Sequence, residues 1–455
     1  MQAVILAAGQ GKRFMGEGQT PKPLVLLLGL TLLERSILSC RNAGIDELIV
    51  VLGHRSEEIS PLLSEWEKRH RVRIFPVENR SWREGNGTSA LAAASHVSGQ
   101  FLLLMADHVF APAVIPRLIA ATGGSGSCWL LVDPRLRYDT DPDFTRVRLD
   151  DNKITDIGKG ISPYDAVDTG IFLCGEALFA ALAQSTGAGD GSLTGGIKRL
   201  ATAGQMRAVD IGPHYWMDVD TKQRLKQAER KLINNLPKPH QDGFIATFIN
   251  RPLSVRLSAA LARRPFLSRR LTPNTLSLVS LLIILAGAGL FAVTGYTGTL
   301  IAGILIQFGS ILDGCDGELA RLTFRESRFG AWLDTILDRY GDIAVSTVIT
   351  YAGWIQHPSP WIWAGGIIAM AGLLLAGYTK KEYQIRYKES LPNTGWAKLI
   401  KRDLRLFMLF IGAVAGHPYC ALLAMGLLSH IGIWRLFHNG LRLRGHQSDE
   451  PPTAK

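Results

Sequence analysis

Asp313-Gly314-Cys315-Asp316-Gly317-Glu318-Leu319-Ala320-Arg321, followed by Gly330-Ala331-Trp332-Leu333-Asp334-Thr335-Ile336-Leu337-Asp338, decides the character of this chain. Asp313 and Asp316 are three positions apart and Asp334 and Asp338 four, so on helices each pair shares a face. All four lie within or at the ends of apolar runs. An aspartate at mid-membrane costs about 2.5–3.5 kcal/mol on insertion scales. Four carboxylates brought close need cations. An oxygen-only donor set points to Mg2+, Mn2+ or Ca2+ rather than zinc. Gly317 and Gly330 leave room for close approach of backbone or substrate. Helix-end salt bridges to Arg321 and Arg328 would account for the charges, but not for so regular a spacing.

Outward from this stretch the apolar content rises. The chain has 455 residues, 20% of them charged, and a net charge of +11. That composition excludes a disordered chain. Nearly all the excess apolar content follows residue 270. Thr275–Thr294 has no charge and is long enough to cross a bilayer. Further runs at 297–317, 330–355, 360–379, 404–417 and 418–437 predict six spans, the fifth being short.

Arg263, Arg264, Arg269 and Arg270 precede the first span. Arg321, Arg325 and Arg328 lie between the second and third. Lys380, Lys381, Arg386, Lys388, Lys398, Lys401 and Arg402 lie between the fourth and fifth, and the alternate loops lack Lys and Arg. The positive-inside rule then places both termini in the cytoplasm of a multi-pass cell-membrane protein. The positive charge is largely a topology signal. No aromatic-interleaved basic patch argues for nucleic acid.

Phe244–Leu267 alternates apolar residues with Arg251, Arg256, Arg263 and Arg264, as a helix lying in the membrane interface would, or a helix packed on a soluble domain. Five scattered cysteines offer neither a disulfide framework nor a zinc site and fit a reducing compartment. The apolar run Ala3–Gly9 is too short for a signal peptide, so the first half is expected in the cytoplasm.

The spacing Asp313-x2-Asp316-Gly317-x2-Ala320-Arg321-x8-Gly330-x3-Asp334-x3-Asp338 closely resembles the signature of the CDP-alcohol phosphotransferase family. The resemblance implies a six-helix membrane enzyme, usually dimeric. It implies a first metal on Asp313, Asp316 and Asp334, with Asp338 completing a two-metal site and serving as general base. Gly317, Ala320, Arg321 and Gly330 would border the cytidine diphosphate. Asn274, in the entry Thr272-Pro273-Asn274, would touch substrate or cap a helix.

Residues 1 to about 225 alternate strands and helices. Ala3–Leu6, Leu48–Leu52 and Phe101–Met105 are short buried-type runs separated by helical stretches, among them Leu32–Asn42 and Thr88–Ser95. This predicts a parallel or mixed α/β sheet. Gly9-Gln10-Gly11-Lys12-Arg13 follows the first strand, and Pro21-Lys22-Pro23-Leu24 follows closely. Together they resemble the nucleotidyltransferase signature, in which backbone N–H groups cradle a triphosphate while Arg13 and Lys22 neutralise it.

That resemblance further implies a metal on Asp107 and on Asp218, with Asp220 as the other option in Trp216-Met217-Asp218-Val219-Asp220. It implies base recognition through Asn86 and Ser89, in a loop that also reads as a turn into a helix cap. Lys159 would bind the acceptor's phosphate, near Asp168, or be a solvated loop lysine. His54 and His108 are expected to be surface or packing residues.

The chain is thus expected to be an α/β nucleotidyltransferase with a Rossmann-like mixed sheet, fused to an all-α six-helix transmembrane domain. The divisions are residues 1–230, a linker at 231–242, an interfacial helix at 243–268, six spans over 269–440 and a cytoplasmic tail at 441–455. The order of halves resembles the family of bifunctional inositol-1-phosphate cytidylyltransferases and di-myo-inositol phosphate phosphate synthases. The resemblance implies that CTP and inositol 1-phosphate give CDP-inositol in the first half. The second half would join CDP-inositol to inositol 1-phosphate, releasing CMP, with Mg2+ or Mn2+ as cofactor and both sites cytoplasmic. Lys398, Lys401, Arg402 and Arg405 offer a pocket for the acceptor's phosphate, Arg402 and Arg405 foremost, although topology alone also calls for basic residues there. The motif specifies CDP and metal but not the alcohol, so another phospho-alcohol or a lipid acceptor stays open.

Overall fold

The computed structural model describes residues 1–14, 20–122, 128–137, 141–238, 242–293, 295–387 and 401–447. Pro239, His240, Thr294, Lys388, Lys398 and the tail from 448 onward lie outside the described residues. The chain divides into two compact units, Met1–Lys231 and Leu232–Lys455.

The first unit is built on nine strands: β1 (Gln2–Leu6), β2 (Glu47–Leu52), β3 (Arg73–Glu78), β4 (Phe101–Met105), β5 (Cys128–Asp133), β6 (Arg146–Asp150), β7 (Lys153–Gly158), β8 (Ala166–Cys174) and β9 (Met206–Asp210). They form one sheet in the order β3-β2-β1-β4-β8-β5-β9-β7-β6. β1 pairs parallel with β2 and β4, while β8 runs antiparallel to β4 and β5, so the sheet is mixed. β4 is apolar at every position, and β1 and β2 are apolar after Gln2 and Glu47, because helices cover both faces. Ala3 and Ile5 enter one core with Leu48, Val50, Leu102 and Leu104, while Val4 and Leu6 enter the other with Ile49, Val51 and Leu103. This is the two-residue alternation of a strand.

The chain runs outward from β1 to β2 and β3, then returns on the other side of β1 to form β4. The strand order therefore reverses between β1 and β4, the place where open α/β sheets bind ligands. The Gly9–Arg13 loop leaves β1 here and Asp107 follows β4.

The second unit is helical: α1 (Pro273–Leu290), α2 (Tyr296–Leu322), α3 (Arg328–Gln356), α4 (Pro360–Tyr387), α5 (Arg402–Val414) and α6 (Pro418–Gln447). Four of these, α1, α2, α4 and α6, are long and apolar enough to cross a membrane. The other two miss the criterion for different reasons. α3 carries Asp334, Asp338, Arg339 and Asp342 along its length. α5 has 13 residues, which at about 1.5 Å each reach about 20 Å of a hydrocarbon core about 30 Å thick.

The segment expected as one interfacial helix is broken. A π-helical turn, Ala246–Asn250, leads into a helix over Arg251–Ala262, and a separate short helix covers Pro265–Arg270. The second break falls at Pro265, which disfavours helical backbone at Arg264 and lacks an N–H to continue the ladder. Phe244, Phe248, Leu253 and Phe266 are exposed, whereas Ser254, Ser258, Ala259 and Ala262 are buried. The buried serines find a partner on α2. Glu318, wholly buried, accepts from Ser254 Oγ at 2.7 Å, Ser258 Oγ at 2.8 Å and Arg251 NH1 at 2.8 Å.

Candidate active sites

In the first unit two adjoining cavities open at the strand-order reversal. The larger, about 340 Å³, is lined by Gly9, Gly11, Arg13, Lys22, Asn86, Ser89 and Asp107. The smaller, about 230 Å³, shares Arg13, Asn86, Asp107 and Asp220 with it and adds Lys159, Asp168, His108 and Asp218. All the residues expected in the soluble site therefore line one of two connected spaces.

Lys22 is the hub. It opens a short 3-10 turn between Pro21 and Pro23 and is 6% exposed. Its Nζ lies 2.5 Å from Asp107 Oδ2 and 2.5 Å from Asp220 Oδ1. Burial alone would depress its pKa, but the two carboxylates outweigh burial and hold it above the usual lysine value. Burial likewise works against ionised Asp107, and Lys22 and His108 outweigh it, so Asp107 is held below its usual value. Arg13 pairs with Asp143 and lies 3.2 Å from Asp220. Lys159 reaches Asp143 as well, at 3.6 Å.

Asp218 stands apart from this ammonium. Burial raises its pKa, His108 opposing. Its Oδ1 is buried and makes no hydrogen bond, the nearest cation being Arg224 NH1 at 3.6 Å. A carboxylate oxygen so placed suits a hard divalent ion. Asp220 is thus the carboxylate that shares Lys22 with Asp107, and Asp218 the one with an oxygen to spare. His108 packs against Trp216 as a packing histidine would, yet it lies beside the carboxylates: its Nδ1 donates to the Thr169 carbonyl at 2.7 Å. Asn86 accepts from Leu193 N at 2.9 Å and Ser89 accepts from Asn79 Nδ2 at 2.9 Å.

In the second unit Asp313 on α2 and Asp334 and Asp338 on α3 each offer an oxygen within 4.8 Å of the others, a group able to hold a metal ion. Asp316 is not part of it: its carboxylate accepts from Ser277 Oγ on α1 and from the Gly317 N–H. The aspartates expected to act as four are therefore three and one. Arg402, at the start of α5, bridges the group, its NH1 2.5 Å from Asp338 and 3.3 Å from Asp313. Ala320 is buried, and Arg321 NH2 donates to the Leu236 carbonyl at 3.0 Å. A Cβ on Gly330 would lie 3.0 Å from Asn274 Oδ1, so these two expected residues do meet.

A cavity of about 330 Å³ runs from Asp313 and Asp338 to a basic wall that includes Arg402 and Arg405. Lys401 lines it too. Arg251, Arg339 and Lys380 line it as well. From sequence, Arg251 is accounted for by an interfacial helix and Lys380 by membrane topology, and Arg339 was not singled out. Arg339 had a signal, since it directly follows Asp338, but its helix neighbours draw the eye to the aspartates. Asp342 was also missed, although it continues the four-residue spacing of Asp334 and Asp338.

Residues 3–200 match the MobA-like NTP transferase domain family, and residues 270–434 match the CDP-alcohol phosphatidyltransferase family. Similar along almost its whole length is a protein of Rubrobacter xylanophilus named bifunctional IPC transferase and DIPP synthase. It is 35% identical, covering 94% of this chain and 94% of the relative. Proteins of the same name from Aquifex aeolicus and Archaeoglobus fulgidus are 30% and 31% identical. They cover 95% and 94% of this chain, and 96% and 79% of their own lengths.

Proposed function

The chain belongs to the family of bifunctional IPC transferases and DIPP synthases, and from that premise we propose the two reactions and the residues that carry them. The first unit joins CTP to 1L-myo-inositol 1-phosphate, giving CDP-inositol and pyrophosphate. The second joins CDP-inositol to another inositol 1-phosphate, giving di-myo-inositol phosphate phosphate and CMP. The observation that carries this reading is the presence, in one chain, of two carboxylate–cation centres, each opening onto a cavity with basic residues to hold phosphates.

In the first reaction a phosphate oxygen of inositol 1-phosphate attacks the α-phosphorus of CTP, and the bond to the β-phosphate breaks. Arg13, Lys22 and the backbone of Gly9 and Gly11 hold the triphosphate and stabilise the departing pyrophosphate. Asn86 and Ser89 border the cytosine, and Lys159 holds the acceptor's phosphate. Asp107 and Asp218 would hold Mg2+, with Mn2+ as the alternative.

In the second reaction a hydroxyl of the acceptor attacks the β-phosphorus of CDP-inositol and CMP leaves. Asp338 takes the hydroxyl proton. Arg402 and Arg405 hold the acceptor's phosphate, and Gly317, Ala320, Arg321 and Gly330 border the nucleotide. Asp313, Asp316, Asp334 and Asp338 would hold the divalent ions, and Asp316 would have to turn from Ser277 to take part. When bound, such ions supply charge neutralisation on the diphosphate and on the leaving group. The membrane half lies in the cell membrane as a homodimer, with both termini and both sites on the cytoplasmic side. The alternation of basic and uncharged loops supports that orientation.

The test is pyrophosphate release from CTP by the purified full-length protein with Mg2+ and a panel of phospho-alcohols. Inositol 1-phosphate is expected to be the best acceptor. Release with a different phospho-alcohol and none with inositol 1-phosphate would overturn the assignment.

A further inference from the structure

Successive aspartates four residues apart on a helix do not stack in line. Each step turns about 40° round the axis, so Asp342 is rotated away from the face on which Asp334 meets Asp313. It lies outside the three-carboxylate group, and it is 6% exposed. A carboxylate buried so deeply is expensive unless charges and hydrogen bonds meet it. Three guanidinium groups supply the charge: Arg339 NH1 lies 3.0 Å from Oδ2, Arg402 Nε 3.3 Å from Oδ1, and Arg405 NH2 3.9 Å from Oδ2. Among the described residues only Arg402 Nε donates a hydrogen bond, to Oδ1, so Oδ2 is held by ion pairing alone.

These arginines come from two helices, Arg339 from α3 and Arg402 and Arg405 from α5. Arg339 and Arg405 are further tied to one point on α4, both donating to the Leu373 carbonyl, at 3.4 and 3.0 Å. One turn beyond Leu373 stands Gly377, where an added Cβ would lie 3.1 Å from Arg339 NH1. All three arginines line the 330 Å³ cavity, and Asp342 does not. The carboxylate is behind the guanidiniums, where it holds them together against their mutual repulsion without facing the ligand.

We propose that Asp342 is a positioning residue that presets Arg339, Arg402 and Arg405 for the phosphate monoester of the acceptor, and thereby sets the preference for a phosphorylated over an unphosphorylated alcohol. This rests on the assignment of the cavity to the acceptor's phosphate. Preset guanidiniums lose little freedom on binding and offer planar, paired donors to phosphate oxygens.

The test measures CMP release by the full-length protein in detergent, from supplied CDP-inositol, against inositol 1-phosphate and free inositol. Asp342→Asn is expected to raise the KM for inositol 1-phosphate about 10-fold or more, with kcat at saturation changed by less than about 3-fold. The response to Mg2+ concentration should be unmoved, and the advantage of inositol 1-phosphate over inositol should shrink. The retained kcat, read in the second unit itself, shows that the variant's membrane half is folded. Should Asp342→Asn fail to accumulate, Gly377→Ala displaces Arg339 alone and should raise the same KM about 2- to 5-fold. If Arg405→Gln raises the acceptor KM while Asp342→Asn and Gly377→Ala leave it unchanged, Asp342 does not position the arginines. A shifted Mg2+ response with an unchanged acceptor KM would instead place Asp342 with the metal carboxylates and overturn the proposal. If Arg402→Gln and Arg405→Gln both leave the acceptor KM unchanged, the cavity assignment falls and the proposal with it.

Discussion

The two halves bring carboxylates to cations by opposite means. In the membrane half Asp334 and Asp338 are neighbours on one helix, and only two helices are needed to bring Asp313 to them. In the soluble half Lys22 meets Asp107 and Asp220, which are 85 and 198 residues away along the chain. There the sheet topology does the gathering, delivering loops from separate strands to the place where strand order reverses. A helical site is thus written in local spacing and a sheet site in connectivity. A helix site should fail sharply when one member is lost, because nothing else fixes the geometry. A loop site has more ways to adjust.

The largest effect is expected from Asp338→Ala. Loss of the proposed general base, which also belongs to the carboxylate group, should lower CMP release by about 10³-fold or more and leave pyrophosphate release intact. A parallel fall in both activities would break the division into two sites. Next comes Lys22→Met, which removes the ammonium from Asp107 and Asp220. Pyrophosphate release should drop about 10²-fold, with CMP release from supplied CDP-inositol unchanged. If CTP turnover survives this change, Arg13 carries the triphosphate alone.

The same contrast explains what was legible in the sequence. The alternating strands and helices of the first half and the mixed sheet followed from short apolar runs bounded by turns. Helical period alone pairs Asp334 with Asp338 and Asp313 with Asp316; facing the two helices gathers all four, of which the structure brings three together. Lys22 and Asp107 could not; only a resemblance to a known signature joined them, because no local rule links residues so far apart. The rotation of Asp316 toward Ser277 depends on how α1 packs on α2, which spacing does not encode. Arg339 and Lys380 were hidden because their side-chain directions depend on helix packing, and a basic residue near a membrane helix end is already explained by topology. Asp342 was legible in part: its spacing was visible, its three arginine partners were not. Six helices stand where six spans were expected, and four of them are long and apolar enough to cross a membrane; of the other two, α3 bears Asp334, Asp338, Arg339 and Asp342 and α5 has 13 residues.

A smaller effect tests how much slack the loop site has. Gly85 leads into the helix that begins at Asn86, with φ at +136°, a backbone that side chains rarely adopt. A Cβ there would lie 2.5 Å from the Gly191 carbonyl oxygen. Gly85→Ala must therefore shift backbone, and with it Asn86, whose carbonyl oxygen accepts from Leu193 N. The KM for CTP in pyrophosphate release is expected to rise about 10-fold, with CMP release unaffected. An unchanged KM would show that the Asn86 loop does not border the nucleotide.

The smallest effect concerns a soluble-half carboxylate that has no arginine or lysine ion pair among the described residues. Asp168 accepts from Gly170 N at 2.6 Å, and burial pushes its pKa up to about 6 despite that bond and nearby His108. The ordinary value for an aspartate is about 3.9. Between these values the folded protein keeps a proton that the unfolded chain has released, so raising the pH from about 4 to about 6 favours unfolding. The loss is complete above about pH 6 and absent below about pH 4. Asparagine keeps the oxygen that Gly170 requires and removes the charge. Asp168→Asn should therefore melt with wild type near pH 4 and above it near pH 7. The gain is on the order of 1–2 kcal/mol, allowing for solvent access to a half-buried group. Melting curves of the full-length protein in detergent at the two pH values decide it: an equal offset at both would mean that Asp168 gains or loses no proton on folding. In the membrane half, where Arg402 stands against Asp313, Asp338 and Asp342, removing one carboxylate instead takes away part of the negative charge that offsets a buried guanidinium. The equivalent neutralisation is therefore stabilising in the sheet half and destabilising in the helical one.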